Sequence, residues 1–259
     1  MQLKFVFIGA GNLATHFSTA LKNAGYPILQ VYSRTNLSAA KLAHKLNSDY
    51  TTSTDTISKE ADVYVIAIKD SAFHEVLPAI EFSDKLLVHC SGSMPLNELE
   101  KYSKNTGVVY PLQTFSKKRK VNFLEIPVFV EANSKKYEKK LVEIAQQVSN
   151  TVSVLSSEKR IYLHIAAVFA CNFVNHFYTI ASTILSTQNI PFEVLKPLIS
   201  ETAAKVQLMQ PEDAQTGPAI RFDENIIAKH LNELKGIKDY DELYNSVSKS
   251  IFEHHQKKI

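Results

Sequence analysis

Near the start of the chain, the apolar residues Leu3, Phe5, Val6, Phe7 and Ile8 run directly into Gly9-Ala10-Gly11-Asn12-Leu13-Ala14. This is the spacing of a dinucleotide-binding turn. Gly9 permits the tight passage from strand to helix, Gly11 lets the backbone approach a pyrophosphate, and Ala14 lets the helix pack closely on the strand. Asn12 and Leu13 open the helix, whose unpaired N–H groups and positive dipole end favour an anion without help from a lysine. Small residues also open helices for packing reasons alone, so the flanking elements must decide.

Leu13 to Asn23 reads as a helix ended by Gly25, and Ile28 to Tyr32 as a second strand leading to Ser33-Arg34-Thr35. In the NAD-binding form of this unit an acidic residue after the second strand takes the ribose hydroxyls. Here no Asp or Glu occurs from Asn12 to Ser48, whereas Lys22, Arg34, Lys41 and Lys45 are cationic. A 2′-phosphate suits that setting: Arg34 offers a charge-assisted fork, and Ser33 and Thr35 offer hydroxyls. The expected cofactor is therefore NADP(H), against the alternative that Arg34 only solvates a loop.

Ligands of an open α/β sheet bind beyond the carboxyl ends of its strands, which adds Lys69-Asp70-Ser71 and Ser91-Gly92-Ser93. Lys69, Asp70, Ser91 and Gly92 are expected along the dinucleotide, although Asp70 and Ser91 would also serve as helix caps. Between Arg160 and Glu193 lie thirty-two residues without a formal charge. At about 100° per residue, His164, Cys171, Asn175 and Ser182 fall in a narrow arc, with Asn172 and Thr179 on its flank. Such a stripe implies either a cleft holding a polar ligand or a helix contact with internal hydrogen bonds. In the cleft reading, His164 is the acid or base, because imidazole titrates near neutrality. Asn172 and Asn175 would then position the substrate. His89, at a strand end beside Cys90, is a weaker candidate. Arg221, in Thr216-Gly217-Pro218-Ala219-Ile220-Arg221-Phe222-Asp223, would clamp a carboxylate or merely pair with Asp223 or Glu224, and Asp223 reads as a helix cap.

The elements that must hold these residues alternate through the first half. Strands are expected at Asp49 to Thr51, Val63 to Ile68, Leu86 to His89, Val108 to Tyr110, Val128 to Val130 and Thr151 to Leu155. Helices are expected at Ala72 to Ile80, from Pro95 to Tyr102, and in the lysine-rich stretch before Thr151. This pattern predicts an α/β fold with a doubly wound, mainly parallel Rossmann-like sheet over residues 1–156. From 157 to 259 only helical periodicity remains, with helices at Glu158 to Thr187, Phe192 to Met209, Asp223 to Leu234 and Tyr240 to His255, divided by Pro191, Pro211 and Gly217-Pro218.

Of the 259 residues, 45% are hydrophobic and 21% charged, the profile of an ordinary globular protein. A net charge of +3 is too small to argue for nucleic acid. The run Lys117-Lys118-Arg119-Lys120 is expected to be a solvated loop or an attractor of a polyanionic cofactor. The uncharged stretch is long enough to span a bilayer, but His164, Asn172, Asn175, His176, Gln188 and Asn189 would be costly against lipid. It is expected to be the buried central helix of a helical domain, and no membrane association is expected. Cys90 and Cys171 show no disulfide or metal spacing, which fits a reducing cytoplasm, and each is expected to be a small buried residue. His74-Glu75 lacks a second histidine, and no metal site is expected.

Taken together, Gly9-Ala10-Gly11-Asn12-Leu13-Ala14, Val109-Tyr110-Pro111-Leu112-Gln113-Thr114-Phe115, the His164 to Asn172 helix, and Thr216-Gly217-Pro218 with Arg221 and Asp223 resemble a bacterial family of Rossmann-like NADP oxidoreductases with a helical C-terminal domain of unknown function. The resemblance covers essentially the whole chain. Phe222 stands where such sequences usually carry glycine. More distantly, the arrangement is similar to pyrroline-5-carboxylate reductase, 6-phosphogluconate dehydrogenase and deazaflavin-dependent NADP reductases. That similarity implies NADP(H), hydride transfer and a homodimer built through the helical domains. It names no substrate. Two functional readings follow: an oxidoreductase acting on a small carbonyl or imine compound, and a sensor or scaffold that binds NADP without turnover. A third, in which the glycine turn only packs, has no ligand at all.

Overall fold

The computed structural model describes residues 2–82 and 84–256. The elements of the first half are β1 (Phe5–Ile8), α1 (Asn12–Asn23), β2 (Ile28–Tyr32), α2 (Asn36–Leu46), β3 (Asp49–Thr51), β4 (Val63–Ile66), α3 (Phe73–Val76), β5 (Leu86–His89), β6 (Asn105–Pro111), β7 (Val128–Ala132), α4 (Lys135–Gln146) and β8 (Val152–Val154). The strands form one sheet in the order β3-β2-β1-β4-β5-β6-β7-β8, parallel except where β6 meets β7. The expected doubly wound sheet is present.

Alternation along the strands explains the two layers. Phe5, Phe7, Val63 and Val65 pack with Phe17 of α1, Leu42 of α2 and Leu141 of α4. Val6, Ile8, Tyr64 and Ile66 pack with Phe73, Leu77 and Leu99. Because both faces are covered, the central strands read as nearly unbroken apolar runs. On the second face the expected long helices shrink. Residues 70–79 form a single α turn flanked by 3₁₀ turns, and only Leu96–Leu99 is helical after Pro95. Pro78 lacks the N–H that a longer helix would need.

The remaining helices are α5 (Ser157–Ala167), α6 (Val174–Ser186), α7 (Lys196–Leu208), α8 (Glu224–Leu234) and α9 (Tyr240–Gln256). Two compact units result, Met1–Cys171 and Asn172–Ile259. The change from strands to helices falls between Val154 and Ser157, but the first unit runs on to Cys171 because α5 is tied to the sheet. Buried Arg160 pairs with Glu131 of β7 and donates to the Met94 carbonyl at 2.6 Å, and Ser157 Oγ donates to Glu131 at 2.6 Å.

Two expectations about the long helix need correction. It is interrupted by a π-helical turn, Val168–Phe173, and each π residue advances by less than 100°, so the polar arc laid out from His164 to Ser182 loses its register. Nor is it a buried core helix: of Ser157–Ser186, only Arg160 and Ile180 are buried. By length and composition alone this helix could cross a membrane. Cys90 is buried as expected, whereas Cys171 is half-exposed.

Candidate active site

β1 and β4 are neighbours in the sheet, and from this pair the chain winds outward in both directions, which makes the gap beyond their carboxyl ends the switch point of the fold. A cavity of about 330 Å³ opens there, lined by Gly9, Ala10, Gly11, Ser33, Arg34 and Lys69 among others. Gly9 sits at φ 121°, donates its N–H to the Tyr32 carbonyl at 2.8 Å, and would press a Cβ onto the Ala67 carbonyl. Glycine is required here by conformation and by space. Gly11 is different: nothing stands within 4 Å of where its Cβ would be, so the turn presents an open backbone face. That open face at the start of a twelve-residue helix fits a dinucleotide pyrophosphate.

At the far end of the cavity, Arg34 and Ser33 leave β2 together, and Ser38 joins them from the first turn of α2. Thr35 occupies the cap position of α2 and does not line the cavity. The purely cationic setting read from residues 12–48 is also incomplete. Glu75 of α3 lies 3.7 Å from Arg34 with both side chains exposed, a pair that a 2′-phosphate would compete with easily. Chain order hides it, because Glu75 arrives from the far side of the sheet's switch point.

A second cavity of about 330 Å³ shares Ala67 and Ile68 with the first. Leu13, Asp70, Ser91, Gly92, Tyr110 and His164 line it. Asp70 accepts from Ser91 Oγ at 2.8 Å, and that same oxygen accepts from the N–H groups of Ser93 and Met94 at 3.1 and 3.0 Å, so Ser91 braces the turn. A Cβ on Gly92 would stand 2.6 Å from the His164 ring. The glycine therefore makes room for the imidazole itself. His164 Nδ1 and the Tyr110 hydroxyl share a hydrogen bond of 3.0 Å, with the rings edge to face. Burial raises the pKa of Tyr110, an effect opposed by the Arg160 charge, so the phenol is a proton-bearing donor at neutral pH.

His89 is fully buried and its Nδ1 accepts from the Ser91 N–H at 3.2 Å. Burial, reinforced by Arg160, pushes its pKa down to about 3 and keeps it neutral, which suits a loop brace rather than an acid. Burial likewise pushes the Cys90 thiol up and keeps it protonated. Asn12 turns its Oδ1 toward the Lys117 N–H at 3.4 Å, and Lys117 lines the first cavity. Tyr110, Ser38 and Glu75 are thus the residues in or beside the cavities that reasoning on spacing missed, whereas Lys117 belongs to the basic run expected to be either a solvated loop or an attractor of a polyanionic cofactor. The only signal for Tyr110 lay in the Val109 to Phe115 segment, which carried the family resemblance without a role.

Asn172, Asn175 and Arg221 belong to the second unit and are exposed. Among the described residues Arg221 forms no ion pair, and Asp223 caps α8 by accepting from the Ile226 N–H at 3.3 Å. Phe222 adopts φ 49° and lays its ring 4.6 Å from that of Phe252. No cluster of metal-binding side chains occurs among the described residues.

Residues 4–92 match the family described as NADP oxidoreductase coenzyme F420-dependent, and residues 126–251 match a domain of unknown function, DUF2520. A stretch of 105 residues is 33% identical to pyrroline-5-carboxylate reductase of Haemophilus influenzae, and the chain spans only 38% of that enzyme's length. The fold is similar to that of an imine reductase from Myxococcus stipitatus solved with NADP+, at TM-score 0.66 and 16% identity over 98% of this chain and 93% of that one. Much nearer is a "putative NADP oxidoreductase" from Bacteroides fragilis, 47% identical, with TM-score 0.93 over 97% of this chain and 98% of that one. At that identity along nearly the whole length, the protein belongs to the same family of NADP oxidoreductases, with a dinucleotide-binding first half followed by DUF2520.

Proposed function

We propose that this protein uses NADP(H) to reduce a small carbonyl or imine compound, with Tyr110 and His164 handling the proton. The reading rests on one observation above others: a hydrogen-bonded tyrosine and histidine line a cavity that shares Ala67 and Ile68 with the glycine-turn cavity. NADPH would supply the hydride, which carries both electrons that such a reduction needs, and the accompanying proton must come from the protein. Gly9 and Gly11 would hold its pyrophosphate, and Ser33, Arg34 and Ser38 its 2′-phosphate. The Tyr110 hydroxyl would give a proton to the substrate oxygen or nitrogen, and His164 would restore it. Such a pair supports turnover over a sensor role, since binding alone needs no proton donor at that place. Asn172, Asn175 and Arg221 remain candidates for orienting the substrate.

We further propose a cytoplasmic homodimer. α5 is anchored to the sheet by a buried ion pair, which argues against a spanning helix, and Tyr162, Ile165, Phe177, Val194, Leu198 and Leu208 leave apolar surface exposed.

The cofactor assignment is tested by titrating the protein with NADPH and NADH, with Arg34→Ala in parallel. The wild type should prefer NADPH, and Arg34→Ala should lose roughly ten- to a hundredfold of NADPH affinity, the worth of a charge-assisted contact, while NADH changes little. Equal affinities for both dinucleotides would refute the 2′-phosphate role.

A further inference from the structure

Lys117 to Lys120 sit in the segment between β6 and β7, a hundred residues from the glycine turn, yet the structure lays this segment across the start of α1. His16 Nε2 lies 2.9 Å from the Ser116 carbonyl, and its ring stacks on Phe115 with centroids 5.3 Å apart. Phe115 stacks in turn on buried Phe123, which stacks on Phe17 of α1. The Lys117 N–H donates to Asn12 Oδ1 at 3.4 Å. Aromatic packing and backbone contacts thus fix the strap, and one side chain from it enters the site. Lys117 Nζ donates to the Ala10 carbonyl at 2.6 Å, inside Gly9-Ala10-Gly11, and lines the same cavity as Arg34.

An ammonium carries three donors, and a single carbonyl satisfies one. Among the described residues Lys117 has no carboxylate partner, whereas Arg34 at the other end of the cavity has Glu75. Its charge stands at the lip of the open Gly11 face. Arg119 and Lys120, two and three residues on, line a neighbouring groove along α1 that Lys117 also borders, and of the three only Lys117 lines this cavity.

We propose that Lys117 is a cofactor-binding residue that contacts the dinucleotide pyrophosphate from the strap, so that the phosphate site is built from the glycine turn on one side and a remote lysine on the other. The proposal rests on the NADP(H) reading above. It makes a prediction that Arg34 does not share, because the pyrophosphate is common to NADPH and NADH while the 2′-phosphate is not.

The experiment measures the affinities of wild type, Lys117→Ala, Lys117→Gln, Lys120→Ala and Arg34→Ala for NADPH, NADH and adenosine 2′-monophosphate, with thermal melting of each variant alone. Both Lys117 variants should lose about tenfold or more for NADPH and for NADH by the same factor, as expected for a lost charge-assisted contact. They should bind adenosine 2′-monophosphate, which lacks the pyrophosphate, as the wild type does, and melt with it. Lys120→Ala should be unchanged, and Arg34→Ala should lose NADPH selectively. Wild-type affinity in Lys117→Ala would overturn the proposal. So would full affinity in Lys117→Gln, whose amide can still donate to Ala10 and whose success would make the role merely structural. A wild type that binds NADPH but fails only the Arg34 comparison would remove the 2′-phosphate assignment and leave Lys117 standing. A wild type that binds neither dinucleotide would overturn both.

Discussion

Among the described residues Arg160 is the largest fully buried side chain, 1% exposed, in a position that spacing marks only as the edge of an uncharged stretch. Its guanidinium meets Glu131 of β7 and the Met94 carbonyl, and His164 follows one helical turn later. Removing one partner of a buried ion pair strands the other charge, which costs about 3–5 kcal/mol. Arg160→Ala should therefore lower the stability measured by urea unfolding by that order, whereas Arg160→Met combined with Glu131→Leu should recover most of it. A loss below about 1 kcal/mol in the single variant would show that the pair does not anchor α5. Phe222 shows the complementary limit of sequence reasoning. Its positive φ of 49° is unusual for a bulky residue, and the Phe252 ring that packs against it 30 residues on could not be read from local spacing. Tyr110 and Glu75 were missed for the same reason: their partners lie 54 and 41 residues away in the chain, and no local pattern links them.

Elements with strong periodicity were legible. β2 and β5 lie where alternation and apolar runs put them, α1 begins at the glycine turn, and α8 begins at its Asp223 cap. Elements set by tertiary context were not: 3₁₀ turns replaced the expected helices on one face, and a π turn broke the longest helix. The most consequential difference is the burial of the helical region. An apolar helix is expected to be buried, yet α7 has no buried residue and α5 and α6 have one each. Apolar faces of this extent suit a second copy of the chain, since obligate dimer interfaces resemble a core cut in half. Light scattering should give twice the 29.1 kDa of the chain, and Leu198→Glu should shift the population toward monomer. A monomeric wild type at micromolar concentration would contradict the dimer.

Across the whole molecule, the alternation of strands and helices implied a mainly parallel, doubly wound sheet with its ligand beyond the carboxyl ends of the strands, but the strand order that puts the cavity between β1 and β4, and the antiparallel β6–β7 pair, come from the structure. The proposed proton transfer beside that cavity depends on strand β6 and helix α5 bringing Tyr110 to His164, with Gly92 leaving the space. The most direct test of the account is the rate of NADPH oxidation by wild type, Tyr110→Phe and His164→Ala across a panel of small cyclic imines and ketones. The account predicts turnover by the wild type, a fall in kcat of roughly 10²–10⁴-fold in both variants, and unchanged NADPH affinity. Wild-type kcat in both variants, or loss of NADPH binding in step with turnover, would contradict it.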